Sequence, residues 1–129
     1  MIISILLLIS LNANNYQRFQ HANAIEQYNL GLHLKNSKNK NLREAFRWIH
    51  KSALRGYPPA QYEFGMMFHY GVGVRQNLEL ARLWLRRASH RGEYRAKTVL
   101  YRFYAGKKVK PRNRKNQQYY TKNFRTIRQ

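Results

Sequence analysis

Cysteine is absent from the 129 residues, and so is aspartate; the only acidic side chains are five Glu, set against 25 Lys or Arg for a formal net charge of +20. The missing thiols exclude disulfides, thiolate nucleophiles and thiolate metal sites, but leave the compartment undecided, because many exported proteins also lack cysteine. Glu26, Glu44, Glu63, Glu79 and Glu93 stand singly along the chain, so no carboxylate pair offers itself for general acid–base work. Long apolar runs are lacking too. The one present, residues 2–11, is broken only by Ser4 and Ser10 and falls short of the ~18–20 residues that a membrane-spanning helix needs. A chain of this length predicts one domain with a modest core.

The apolar run turns abruptly polar at Asn12 and matches the h-region of a signal peptide, although no Lys or Arg precedes it. Cleavage after Ala13 is better placed than cleavage at Ala22-Asn23-Ala24. The alternatives are an apolar N-terminal helix packed on the domain and a misplaced start. The expectation is a signal-peptide-like segment at 1–13 and a periplasmic or secreted protein, with a cytoplasmic one as the alternative. All 25 cations and all five Glu lie beyond Ala13, so cleavage leaves the charge at +20. A field of that sign favours acidic partners, among which nucleic acid, anionic lipid, envelope polysaccharide and acidic protein surfaces all qualify.

Internal similarity organises the rest of the chain. LREAFRWIHKSALRG (42–56) superposes on LELARLWLRRASHRG (78–92) at an offset of 36, pairing Leu42 with Leu78, Ala45 with Ala81, Trp48 with Trp84 and Gly56 with Gly92. Upstream, EQYNLG (26–31) superposes on AQYEFG (60–65) at an offset of 34, because the intervening loop is two residues shorter in the first copy. Leu42, Ala45, Phe46, Ile49 and Ala53 fall at helical spacing, as do Leu78, Ala81, Trp84, Leu85 and Ala88. Asn41 and Asn77 stand where N-caps belong, and Gly56 and Gly92 where a left-handed C-terminal residue belongs. Tyr57-Pro58-Pro59 then sets an extended turn before the next helix. The unit is helix, loop, helix, turn, with small residues letting helices approach and Trp48 and Trp84 filling the space between layers.

The pattern A-x-x-x-F-G (60–65), G-V-G-V (71–74) and L-A-x-x-W-L-x-x-A-S-x-x-G (80–92) resembles the Sel-1-like repeat family, an α/α solenoid related to tetratricopeptide repeats. Gly65, Gly71, Gly73, Ala81, Trp84, Ala88 and Gly92 carry it in the second copy. Leu30, Gly31, Ala45, Trp48 and Gly56 carry it in the first, which lacks the G-V-G-V loop. The resemblance covers about residues 24–110 and implies an all-α fold, a short solenoid of two clear repeats (about 24–57 and 58–93) and a degenerate third (about 94–110). With residues 14–23 these make a domain at 14–110. In the third copy Tyr101 stands where Gly31 and Gly65 stood, and its ring predicts a different final interface.

Gly71-Val72-Gly73 reads as a turn between paired helices. A dinucleotide loop would need a preceding strand and a third glycine where Gln76 stands. His21, His33, His50, His69 and His90 show no i, i+3 or i, i+4 pair, which argues against a helical metal site. Glu44 with Arg47 and Glu79 with Arg82 have the spacing of surface ion pairs. Catalytic residues, cofactors and metals are therefore not expected.

Two stripes are candidates for binding. Tyr62, Met66 and His69, with Tyr28, Leu32 and Lys35 one repeat earlier, lie opposite the core face of the first helix of each unit, the side that lines the concave surface of such superhelices. Aromatic and Met side chains there suit a partner peptide or loop. Arg43, Arg47 and Lys51 in one helix and Arg82, Arg86 and His90 in the next are expected to align as a basic ladder, extended by residues 111–129, a basic tail or capping helix whose Tyr120, Phe124 and Ile127 follow i, i+4, i+7 spacing. The resemblance implies non-catalytic adaptor, regulatory or immunity-type work in the bacterial envelope, on a protein partner with an acidic surface. Binding of nucleic acid or another anionic polymer is the competing expectation. Incomplete terminal repeats also allow a homo-oligomer.

Overall fold

The computed structural model describes residues 2–106, apart from the side chains of residues 8–12, 14–20 and 22. The basic tail, with its expected capping helix, lies outside the described residues. Among the described residues all regular structure is helical: α1 (Ile2–Asn36), α2 (Leu42–Leu54), α3 (Pro58–Tyr70), α4 (Leu78–His90), α5 (Tyr94–Val99) and a π-helical turn (Leu100–Tyr104). Short loops make α1/α2 and α3/α4 into helical hairpins, the two expected units, and α5 with the π-turn begins the third. No described helix is long and apolar enough to cross a membrane.

Local chemistry sets the helix ends. Asn41 Oδ1 accepts from the Glu44 amide and Asn77 Oδ1 from the Leu80 amide, both at 3.1 Å, so each second helix carries the side-chain N-cap that its sequence promises. Pro58 and Pro59 occupy the first turn of α3, where a missing N–H costs nothing. The α3–α4 loop needs glycine for a second reason: at Gly73 (φ 69°) a Cβ would stand 2.1 Å from the Leu42 carbonyl oxygen, so the loop rests directly on the start of α2. The turn reading of Gly71 and Gly73 thus acquires a packing partner from the neighbouring unit.

One buried cluster runs through the units, including Ile49, Phe64, Phe68, Leu80, Trp84 and Leu85. Two buried polar side chains fasten the layers. Ser52 donates its hydroxyl to the Ala24 carbonyl at 2.5 Å, tying α2 to α1, and Gln61 donates Nε2 to the Ala53 carbonyl at 3.2 Å, tying α3 to α2. Trp84 is 1% exposed, as the repeat predicts. Trp48, its counterpart, departs from its expected core role: it is only half-buried and is covered by Lys51 at 4.0 Å, whereas Trp84 also receives His50 of α2.

His50 belongs to this core, a role that sequence reading missed although it stands one helical turn after Phe46. Its ring stacks on Phe64 at 4.7 Å and meets Trp84 edge-on. Burial pushes its pKa down to about 4.

The third unit breaks register where Tyr101 predicts it. A Cβ at Gly31 would lie 2.5 Å from Ile49 Cγ1, and one at Gly65 2.9 Å from Leu85 Cγ and 3.2 Å from the Ala81 carbonyl oxygen, so these glycines are the crossing points of the two hairpins. Tyr101, at the equivalent position, is 82% exposed, and the backbone widens into the π-turn there. Tyr104 returns to the core at 7% exposure, and its hydroxyl pKa is pushed up to about 12 by burial.

Two outcomes follow for stability in urea titrations. Gly73→Ala combines left-handed strain with backbone overlap and is expected to cost roughly 3 kcal/mol or more, whereas Gly92→Ala (φ 90°, with nothing within 4 Å of the added Cβ) carries only the strain, about 1–2 kcal/mol. Because the folded pKa of His50 is depressed, its stabilising contribution is complete above the unfolded value of 6.5 and is lost as pH falls toward about 4. The loss amounts to about 3 kcal/mol, at ~1.4 kcal/mol per pH unit. His50→Phe, which keeps a ring against Phe64, is expected to abolish that part of the acid sensitivity.

Candidate functional site

The first helices of the units, α1, α3 and α5, bring their side chains together on one face. Lys35 of α1 forms an ion pair with Glu63 of α3, both largely shielded from solvent. Glu93 receives two bonds from Arg95, from Nε at 2.7 Å and from Nη2 at 3.0 Å. The same guanidinium lies 4.5 Å above the Tyr62 ring and close enough to the Tyr28 hydroxyl to act on its ionisation, so one arginine of the third unit reaches side chains of the other two. These bonds hold the Glu93 carboxyl below its usual range. Burial pushes the phenols of Tyr28 and Tyr62 up, so both rings stay neutral.

Beside this link lies a pocket of about 210 Å³ lined by Lys35, Tyr62, Glu63, Met66, Met67, Tyr70 and Val72. Three residues of the expected concave stripe, Lys35, Tyr62 and Met66, line it, and Tyr28 lies outside the lining. Leu32 is half-buried outside the lining. His69 is diverted: its Nδ1 shares a 2.6 Å hydrogen bond with the Tyr104 hydroxyl, and Phe103 packs 5.2 Å from its ring, so the third unit occupies it. Burial lowers its pKa. Sequence reading missed Glu63, Met67, Tyr70, Val72, Glu93 and Arg95. Tyr70 was within reach, being one further turn along the stripe from Met66; Arg95 was not, because its partners come from other units.

The cations of the expected basic ladder do not share register positions on the described helices. Helices α2 and α4 superpose at an offset of 36, which places Arg82, Arg86 and His90 at the positions of Phe46, His50 and Leu54, on the face turned to the following unit. Arg82 is accordingly half-buried, held by Glu79 at 3.2 Å and close enough to Tyr104 to act on its ionisation, while Arg86 and His90 are exposed. Arg43, Arg47 and Lys51 are exposed on α2, with Arg47 3.4 Å from Glu44. The basic feature that does repeat is a cation over an indole: Lys51 on Trp48 at 4.0 Å and Arg87 on Trp84 at 4.8 Å. No group of three or more metal-ligating side chains occurs among the described residues.

The Lys35–Glu63 pair closes one wall of the pocket in a shielded setting, whereas Glu44–Arg47 is exposed. A double-mutant cycle with Lys35→Met and Glu63→Gln is expected to give a coupling near ~1 kcal/mol that falls in 1 M NaCl. The cycle with Arg47→Met and Glu44→Gln is expected to give roughly 0.3 kcal/mol.

With this geometry in hand, comparison with known proteins is informative. The Sel1 repeat model matches residues 27–57 and 58–93, just over half of the chain. Chitin synthase regulatory factor 3 from Schizosaccharomyces pombe is 41% identical over 61 residues, 47% of this chain and 6% of the yeast protein. The F-box protein At1g70590 from Arabidopsis thaliana is 36% identical over 59 residues, 45% of this chain and 17% of the plant protein. The crystal structure of a Sel1 repeat protein from Oxalobacter formigenes superposes with a TM-score of 0.58 at 30% identity, covering 60% of this chain and 23% of that one. The chain thus spans a small part of each relative.

Proposed function

Because the chain belongs to the Sel1 repeat family, whose repeats are non-catalytic protein-interaction modules, we propose that it is an adaptor or regulatory protein that binds a protein partner across the face formed by α1, α3 and α5. The observation that carries this reading is the pocket at Met66 and Tyr70, held between units by the Lys35–Glu63 pair and the Arg95 link. The pocket is smaller than the ~300–1,000 Å³ of sites for drug-sized molecules or cofactors, and its Met and Tyr walls suit protein side chains. The yeast relative's name as a regulatory factor supports regulatory work. The charge of +20 favours a partner with an acidic surface.

On this reading the protein works in the envelope of a bacterium, exported with removal of residues 1–13. Two observations support export. The run at 2–11 is followed at once by polar residues, and Ile2, Ile3, Ile5, Leu6 and Leu7 are 53–80% exposed, so those side chains contribute nothing to the core.

The experiment is a pull-down from fractionated native cells with the tagged full chain, washed at low and high salt, with mass spectrometry of the captured material and of the chain's own N-terminus. The expected outcome is one stoichiometric protein retained at high salt, lost with Met66→Lys, and a chain starting at Asn14. Retention only of nucleic acid or mixed polyanions, released by salt as counterion release demands, would overturn it in favour of an anionic-polymer binder.

A further inference from the structure

The face just described is charge-balanced within a strongly basic chain. Five acidic side chains must serve 25 cations, yet two of the five, Glu63 and Glu93, are spent here, each on a close cation. Arg95 is fixed by two carboxylate bonds, and the other polar groups, the phenols of Tyr28 and Tyr62, stay neutral. By contrast Arg43, Arg55, Arg86 and Lys97 are exposed elsewhere on the surface. Long-range attraction and close-range grip therefore belong to different parts of the molecule.

We infer that this pocket selects one uncharged, apolar side chain of Leu or Met size from an extended segment of the partner, while the surrounding cations only steer acidic residues that flank it. This rests on the protein-binding reading above. A cationic side chain entering the pocket would lose its water beside Lys35, with Glu63 already engaged. A carboxylate entering it would face Glu63 and would have to break the Lys35–Glu63 pair to gain a partner. An aliphatic or thioether side chain pays neither penalty and meets Met66, Met67 and Val72, with the 63%-exposed Tyr70 ring, held edge-on 4.7 Å from His69, as a further apolar wall. The volume, about 210 Å³, accommodates one such side chain. Exposed rim charges act chiefly on the association rate, and buried apolar contacts chiefly on dissociation.

The test pans a phage-displayed random 12-residue peptide library on the full chain at 0.15 M and 0.5 M NaCl, followed by stopped-flow binding of the selected peptides made synthetically. The expected result is peptides sharing one Leu, Met, Ile or Phe flanked by acidic residues. Replacing that residue by Ser should weaken binding about tenfold or more, and higher salt should slow association while leaving dissociation within about twofold. Tyr70→Ala, at an exposed ring that the core does not need, and Met66→Lys should both speed dissociation, whereas Arg43→Ser with Arg86→Ser should only slow association. Acidic peptides without a recurring apolar residue, released at 0.5 M NaCl and bound equally by the Tyr70→Ala and Met66→Lys chains, would overturn the inference and leave the protein-binding reading standing. No peptide enrichment, with tight binding of poly(U) RNA instead, would overturn both.

Discussion

The ring of Phe64 is the contact on which the rest of the structure depends. It is fully buried in α3 and lies 4.7–5.0 Å from His50, Phe46, Trp84 and Phe68, which come from α2, α4 and its own helix. Aromatic pairs at such distances each add about 0.5–1.5 kcal/mol beyond the area they bury. More important than the sum is its placement, since one side chain closes the α3/α4 hairpin and joins it to the previous unit. In the first unit the equivalent residue is Leu30, 40% exposed.

Around this centre the units are joined by devices of different kinds. Ser52 and Gln61 hold successive helices through buried backbone carbonyls, which fixes their sliding as well as their distance. Gly73 lets the second loop lie against the start of α2, and Gly31 and Gly65 let the hairpins close. In a repeat stack each unit leans on its neighbours, so these junctions contribute as much to stability as the hairpins themselves. The third unit follows the same plan until Tyr101, where a ring replaces the crossing glycine and the backbone widens; Tyr104 and Phe103 then reach His69 of α3. The face formed by α1, α3 and α5 is bounded at one end by that contact.

Charge is distributed with more order than a total of +20 suggests. Four of the five Glu are in close contact with a cation, two of these pairs shape the pocket face, and the repeated cations Lys51 and Arg87 lie over the indoles of Trp48 and Trp84. Long basic side chains thus cover aromatic surface while their heads stay in water. Lys51 and Arg87 are therefore packing elements, and reading Arg43, Arg47, Lys51, Arg82, Arg86 and His90 as one ladder overlooked that Phe46 and Arg82 share a register position.

Helix spacing, caps, glycine turns and the 36-residue repeat were all legible in the sequence, because each depends on residues within one helical turn or one repeat of one another, where the local backbone dictates the geometry. Three of the residues that line the pocket were legible for the same reason: Tyr62 and Met66 share a helix, and Lys35 follows from His69 by offset. What only the tertiary structure decided was contact between units. The approach of Arg95 to Tyr28 and Tyr62, the pairing of Lys35 with Glu63, the diversion of His69 to Tyr104 and the burial of His50 all depend on how far one hairpin is rotated and shifted against the next. That rotation is set by the rings around Phe64 and by the seat of Gly73 against Leu42, and a one-dimensional pattern records the residues without the angle between the helices that carry them.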